Sequence, residues 1–300
     1  MNATIASAAN PRFKRIKALI QSARQRHREG ASVLEGVHLV TGWLAHAPGG
    51  QPAVLDLVVA QRGLQAAEVA AVVAGAGIEP LVLQDRLFDS LGTMPSPAPL
   101  LAVVTTPAPA PPAGIDQDTV VLDRLQDPGN VGAILRTAAA AGVRQVVTTP
   151  QTAWCWSPKV LRAAMGGHFA LSIHESMPWE RLQPLIRIPI AGALAHDGVS
   201  IYASDLSQPC VWVFGNEGEG ISVGIERQLD WRVTIPQAGA VESLNVAAAA
   251  AVCLFEQRRQ RLAAAGSAGA TATTATTATT ATAASTAATA ATSATGARAG

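Results

Sequence analysis

Between residues 120 and 262, short apolar runs rich in β-branched side chains alternate with stretches of helical periodicity. Strands are predicted at 120–123, 145–148, 170–173, 188–194, 211–214 and 232–235, and helices at 131–141, 158–165, 180–185, 221–228 and 243–262. Such alternation implies a parallel sheet covered by helices on both faces. A smaller α/β pattern precedes it. A basic helix at 13–28 leads into SVLEGVHLVTGWL, a short strand followed by a helix. A strand at 55–60, a helix near 64–74 and extended segments near 80–83 and 100–104 complete that unit. No internal repeat is visible.

Composition sharpens this division. Residues 107–118 (PAPAPPAGIDQD) are rich in Pro and Gly. Proline lacks an amide donor and fixes φ, so the stretch reads as a semi-rigid linker. Residues 263–300 are almost wholly Ala, Thr, Gly and Ser, with Arg298 their only charge. Without large side chains to bury, such a segment cannot offset the entropy of its own ordering, and a disordered tail is expected. The expected organisation is a domain at 1–106, a linker at 107–118, a domain at 119–262 and a tail at 263–300.

Charge adds one local feature. The formal net charge of +1 hides a crowd of Arg12, Lys14, Arg15, Lys17, Arg24, Arg26 and Arg28, opposed in that stretch only by Glu29. A solvated helix face accounts for such a run; so does an electrostatic footprint for nucleic-acid phosphates. The N-terminus has the basic, acid-poor character of a transit peptide, but a folded helix accounts for it better. The apolar run at 246–255 is too short for a bilayer-spanning helix. Cys155, Cys210 and Cys253 lie far apart without a CxxC pair, and the histidines lack metal-ligand spacing. Structural thiols in a reducing cytoplasm and no metal site are expected.

Three segments place small and amide-bearing residues where a strand hands over to a helix, the position at which open α/β sheets bind ligands. In the first, Asp127-Pro128-Gly129-Asn130 makes a turn in which Asn130 suits a helix cap. Arg136 follows among Ile134, Leu135 and alanines, so a buried or half-buried guanidinium seeking a carboxylate or phosphate is expected. The second, Gly215-Asn216-Glu217-Gly218-Glu219-Gly220, is spaced GxxGxG. Neither the dinucleotide GxGxxG nor a Walker loop fits, which counts against an oxidoreductase or a nucleotidase. Glu217 and Glu219 would repel phosphate and favour a neutral or cationic ligand. In the third, Gly239, Ser243 and Asn245 lie in or beside a loop before an Ala-packed helix. Singly, each segment is explained as well by a tight turn or close helix packing. Trp154 and Trp156 read as packing residues, and His168 as a less favoured candidate for approach to a substrate.

Taken in order, NVGAILRTAAAAGV, FGNEGEGIS and IPQAGAVESLNVAAAAAVCLFE resemble the three motifs of the SpoU (TrmH-type) branch of the SPOUT RNA methyltransferases. The match runs from about Thr119 to Leu262. NPRFKRIKAL…RQRHREGASVLEGVHLV resembles the substrate-binding domain, similar to ribosomal protein L30e, that often precedes this catalytic domain. The resemblance implies an α/β fold whose parallel sheet ends in a C-terminal trefoil knot, preceded by the small L30e-like domain. It implies S-adenosylmethionine bound around Leu194, Gly215, Ile235 and Leu244, and a catalytic set of Asn130, Arg136, Glu217, Ser243 and Asn245. It further implies a homodimer that methylates a ribose 2′-hydroxyl. Ribosomal RNA is the first choice of substrate, because a separate N-terminal domain with the basic run at 12–28 suits a folded RNA. Transfer RNA, or a non-catalytic RNA-binding role on the same fold, are the alternatives. One departure is Ala247, where many relatives carry Ser.

Overall fold

A computed structural model describes residues 4–46, 54–92, 98–239 and 243–265. The first unit contains α1 (Pro11–Gln21), α2 (Ala23–Glu29), β1 (Ala31–Glu35), α3 (Val37–His46), β2 (Val54–Ala60), α4 (Ala67–Ala76), β3 (Leu81–Leu83), α5 (Asp85–Asp89) and β4 (Leu100–Thr105). Its four strands form a mixed sheet in the order β1-β4-β2-β3, with only the β2/β3 pair parallel.

The expected single basic helix is two. Ser22 takes extended backbone angles, and its hydroxyl accepts from the Gln25 amide to start α2. Arg26 then folds back to donate to the Leu19 and Ile20 carbonyls at the end of α1 (2.7 and 2.9 Å). Helix ends leave carbonyls unsatisfied, and here a guanidinium supplies the missing donors. Arg26 is consequently 6% exposed, with its charged form disfavoured by burial, and is removed from the set of surface cations.

The second unit comprises β5 (Thr119–Leu122), α6 (Pro128–Ala141), β6 (Gln145–Thr148), α7 (Pro158–Ala164), β7 (Ser172–His174), α8 (Trp179–Leu182), β8 (Ile190–Leu194), β9 (Val199–Ser200), β10 (Val211–Phe214), α9 (Val223–Glu226) and β11 (Trp231–Thr234). A last helix, α10, covers 246–265. All neighbouring strands of the seven-stranded sheet are parallel, in the order β7-β6-β5-β10-β8-β11-β9. β5 and β10 are buried along their whole length, as central strands covered on both faces must be. The helix expected at 221–228 shortens to α9. At the C-terminus, α10 runs through 265, three residues into the expected tail; the remainder of that tail lies outside the described residues.

The linker does not leave the units independent. Ile115 is fully buried, donates its amide to the Leu185 carbonyl and accepts from the Arg187 amide. One hydrophobic cluster includes Leu34, Trp43 and Leu57 of the first unit with Val131, Trp156 and Leu161 of the second. Trp43 meets Trp156 and Phe169 edge-on (6.3 and 6.0 Å between centroids), and Arg162 pairs with Glu35 at 3.0 Å. Trp154 lies 4.4 Å from the His27 ring and beneath the Arg26 guanidinium. Both tryptophans of the Trp154-Cys155-Trp156 loop therefore pack between the units.

Candidate active site

The carboxyl ends of the central strands carry the chemistry. Asp123, at the end of β5, is buried and accepts from the Ser222 amide (2.7 Å) and the Thr149 hydroxyl (3.0 Å). This ties the loop after β5 to the segment leaving the glycine-rich turn after β10. That turn closes on itself through paired Asn216–Gly220 backbone hydrogen bonds, both 2.9 Å. Asn216 also accepts from the amides of Gly218 and Glu219 and donates to the Arg124 carbonyl. Gly215 is required by close approach: a Cβ there would lie 2.2 Å from the backbone of Gly220 and Ile221.

Local chemistry corrects two expectations for the first motif. Asp127, not Asn130, caps α6, its Oδ1 accepting from the amides of Gly129 and Asn130, with Pro128 opening the helix. Asp-Pro at a helix start is a legible signal: a capping carboxylate followed by a residue with no amide to satisfy. Arg136 is exposed instead of half-buried, and among the described residues it has no hydrogen-bond or ion-pair partner. The apolar residues around it in sequence face inward, while its own position points away from the core. Gly167 packs against its backbone, where a Cβ would come within 2.9 Å of the Arg136 Cα.

Asn130 is thereby free for another task. Its Nδ2 donates to Glu217 Oε1 (3.0 Å), and its Oδ1 accepts from Asn245 Nδ2 (3.0 Å). Asn245 Oδ1 in turn accepts from the Ala247 and Ala248 amides at the start of α10. The polarity of this chain is fixed at both ends. An ionised carboxylate only accepts and an amide N–H only donates, so each asparagine has one permitted orientation. Glu217 also accepts from the backbone amides of Gln126 and Asp127 (3.3 and 3.1 Å). Partial burial works to raise its pKa, but the hydrogen bonds from Asn130 and the backbone outweigh that and hold the carboxyl below its ordinary value. Glu219 pairs with Arg124 at 2.6 Å, which offsets much of the negative charge expected of this turn.

Substitution of Glu217 by Gln is expected to weaken this arrangement. A glutamine has a single acceptor oxygen and turns an N–H toward donors, so about 10- to 100-fold lower activity is expected, from the loss of charge-assisted hydrogen bonds. The lowered folded-state pKa means that the carboxylate's contribution to stability is present above the ordinary carboxylate range. It is lost as pH falls through the lowered value. Thermal unfolding followed against pH checks this, because Glu217→Gln removes that component of the acid transition.

A cavity of about 410 Å³ opens beside the chain, at the ends of β8, β10 and β11. Leu194, Gly215, Ile235 and Leu244 line it together with Glu217, Ser243 and Asn245. Asn130 reaches its edge through Glu217 and Asn245, whereas Arg136 is outside the wall. Gln237 also lines the cavity, and its side-chain oxygen is buried without a hydrogen-bond partner among the described residues. Nothing in the sequence around Gln237 marked it, because its distinction is an unsatisfied acceptor and not a residue pattern. Ala247, the departure noted above, packs partly buried against the main core.

His168 is not in this site. It is fully buried, its Nε2 lies 2.7 Å from the Cys155 carbonyl oxygen, and burial pushes its pKa down to about 4. The three cysteines are buried and free, and burial pushes Cys210 up to about 12. Among the described residues, no group of three His, Cys, Asp or Glu is arranged to hold a metal ion, and no helix is long and apolar enough to cross a membrane.

A cavity at the carboxyl ends of a parallel sheet, walled by an ordered carboxylate–amide chain, defines an α/β protein with a small-molecule site at its strand ends. The family model of the SpoU rRNA Methylase family matches residues 118–255. An uncharacterized tRNA/rRNA methyltransferase of Synechocystis is 32% identical over 88% of this chain and 96% of its own length. The 23S rRNA (uridine(2479)-2′-O)-methyltransferase of Streptomyces viridochromogenes is 32% identical over 86% of this chain and 92% of its own. An AdoMet-bound rRNA methyltransferase from Sinorhizobium meliloti superimposes with a TM-score of 0.74 at 29% identity, covering 86% of this chain and 97% of the other. The chain belongs to the SpoU rRNA methylase family.

Proposed function

We propose that this protein transfers the methyl group of S-adenosylmethionine to a ribose 2′-hydroxyl of ribosomal RNA. The observation that carries this reading is the Glu217–Asn130–Asn245 chain on the wall of the strand-end cavity. The cavity suits the donor: its volume is that of a small-molecule site, it combines apolar walls with an ionised carboxylate, and it holds an unsatisfied acceptor. Leu194, Gly215, Ile235 and Leu244 would hold the donor. When bound, S-adenosylmethionine supplies an electrophilic methyl group on a sulfonium.

The remaining chemistry falls to the protein's own side chains. Glu217 stays ionised and orders Asn130 and Asn245, which fix the polar edge where the ribose enters. Ser243 presents a hydroxyl on the same wall. A guanidinium offers N–H donors and no acceptor, so Arg136 serves as a grip on RNA phosphate and a counter-charge for the developing 2′-oxyanion, not as a base. Exposure and the lack of a partner among the described residues suit that role.

The first unit is the L30e-like RNA-binding domain in this reading. Lys14, Arg24 and Arg28 are exposed and Lys17 is half-buried, so these remain RNA contacts. Arg12 and Arg15 pair with Asp56, and Arg15 also with Glu29, which lowers the net positive charge they offer. The catalytic unit is taken as trefoil-knotted. Supporting this, β10 enters between β5 and β8, and β11 between β8 and β9, strands laid down earlier in the chain. The assembly is taken as a homodimer, supported by exposed Phe255 and Leu262, about two turns apart on one face of α10. A cytoplasmic site is in keeping with three unpaired, buried thiols.

The test is transfer of labelled methyl from S-adenosylmethionine to ribosomal RNA from cells lacking this enzyme. Label mapped to a 2′-O-methyl nucleotide in one rRNA is the expected result. Label in tRNA alone would move the substrate, and absence of both label and donor binding would point to a non-catalytic RNA-binding protein.

A further inference from the structure

Gln237 stands apart from the other polar residues of the cavity. The carboxylate and both asparagines of the ordered chain have protein partners, whereas the Gln237 Oε1 has none among the described residues although it is buried. A buried acceptor without a donor is costly, and a ligand that brings an N–H to it recovers that cost. We infer that Gln237 is a specificity-determining residue that reads the 6-amino group of the donor's adenine. This rests on the proposed methyl donor.

Sheet order sets which end of the donor lies there. The cavity spans β10, β8 and β11, which are adjacent in that order. Glu217 and Asn245 connect to Asn130 on α6, which follows β5 on the β10 side. The reacting end of the donor belongs on that side, where the ribose hydroxyl is ordered. Gln237 follows β11, two strand spacings away, or about 10 Å. On its side the wall is apolar, with Ala193, Leu194 and Ile235, which suits the faces of a purine. A carboxamide offers an acceptor beside a donor, and adenine offers the complementary pair in its 6-amino group and a ring nitrogen.

The experiment is calorimetric binding to the full chain of S-adenosylhomocysteine and of its analogue lacking the 6-amino group. The parent protein is expected to bind the analogue about tenfold more weakly, because Oε1 is left unsatisfied. Gln237→Met, of similar length, is expected to bind both compounds alike, at about the parent's affinity for the analogue. Gln237→Glu retains an acceptor and is expected to keep the preference. Equal binding of the two compounds by the parent, or an undiminished preference in Gln237→Met, overturns the inference while leaving the proposed donor intact. Failure of the parent to bind S-adenosylhomocysteine at all overturns both.

Discussion

Gly215→Ala is expected to cost at least about tenfold to 100-fold in affinity for S-adenosylhomocysteine and to lower the unfolding temperature. The added methyl would sit 2.2 Å from Gly220 and Ile221 backbone atoms. These are main-chain atoms closed into a turn by two hydrogen bonds, so no rotamer change relieves the contact. The turn has to open, and with it moves a wall of the cavity and the Glu217 carboxylate that orders Asn130. Gly218→Ala is the matched control. Its nearest neighbour would be the Asn216 Oδ1 at 3.6 Å, an ordinary contact, and donor affinity is expected to survive. Titration calorimetry on both variants decides the matter; normal binding by Gly215→Ala would show that the turn is not the donor's wall.

Arg136→Ala is expected to separate binding from transfer. The side chain is exposed, does not line the cavity and has no hydrogen-bond partner among the described residues. Donor affinity should therefore be unchanged, and stability altered by no more than about 0.5 kcal/mol, the usual range for an exposed side chain. Methyl transfer should fall by about 10²- to 10³-fold, the loss typical when one group stabilising a developing oxyanion is removed. Arg136→Lys keeps a charge but loses the planar fork, so partial recovery is expected. Single-turnover transfer at saturating donor reads the effect, and a fully active Arg136→Ala protein would remove this residue from the mechanism.

The strand–helix alternation, the position of each central strand and the three motif segments were legible from residue pattern alone. Hydrophobic periodicity is a local quantity, and buried parallel strands such as 120–122 and 211–214 advertise themselves as continuous apolar runs. Boundaries were less legible. The break at Ser22 depends on Arg26 returning to cap α1, an interaction whose donor and acceptor belong to different helices. The Asp127 cap was visible in principle, since Asp-Pro-Gly carries its own signal, yet the neighbouring Asn130 competed for the same role.

Side-chain roles were legible only as membership of a set. Sequence supplied Asn130, Glu217, Ser243 and Asn245 as candidates, but their order and polarity arise from three loops brought together by sheet order. Arg136 illustrates the limit from the other side. Apolar neighbours in sequence suggested burial, whereas the direction in which a helix position faces depends on what the helix packs against. Arg12 and Arg15 met an unforeseen partner in Asp56, which a strand carries to the basic helix from farther along the chain.

By itself, then, the sequence determined the layered α/β architecture, the family and the segments that form the site, because propensity and periodicity act between near neighbours. Tertiary structure decided which cations stay exposed, how the units close on each other, the direction of the Glu217–Asn130–Asn245 chain and the unsatisfied Gln237 oxygen. These depend on burial and on partners distant in sequence, which exist only once the strands have taken their order in the sheet.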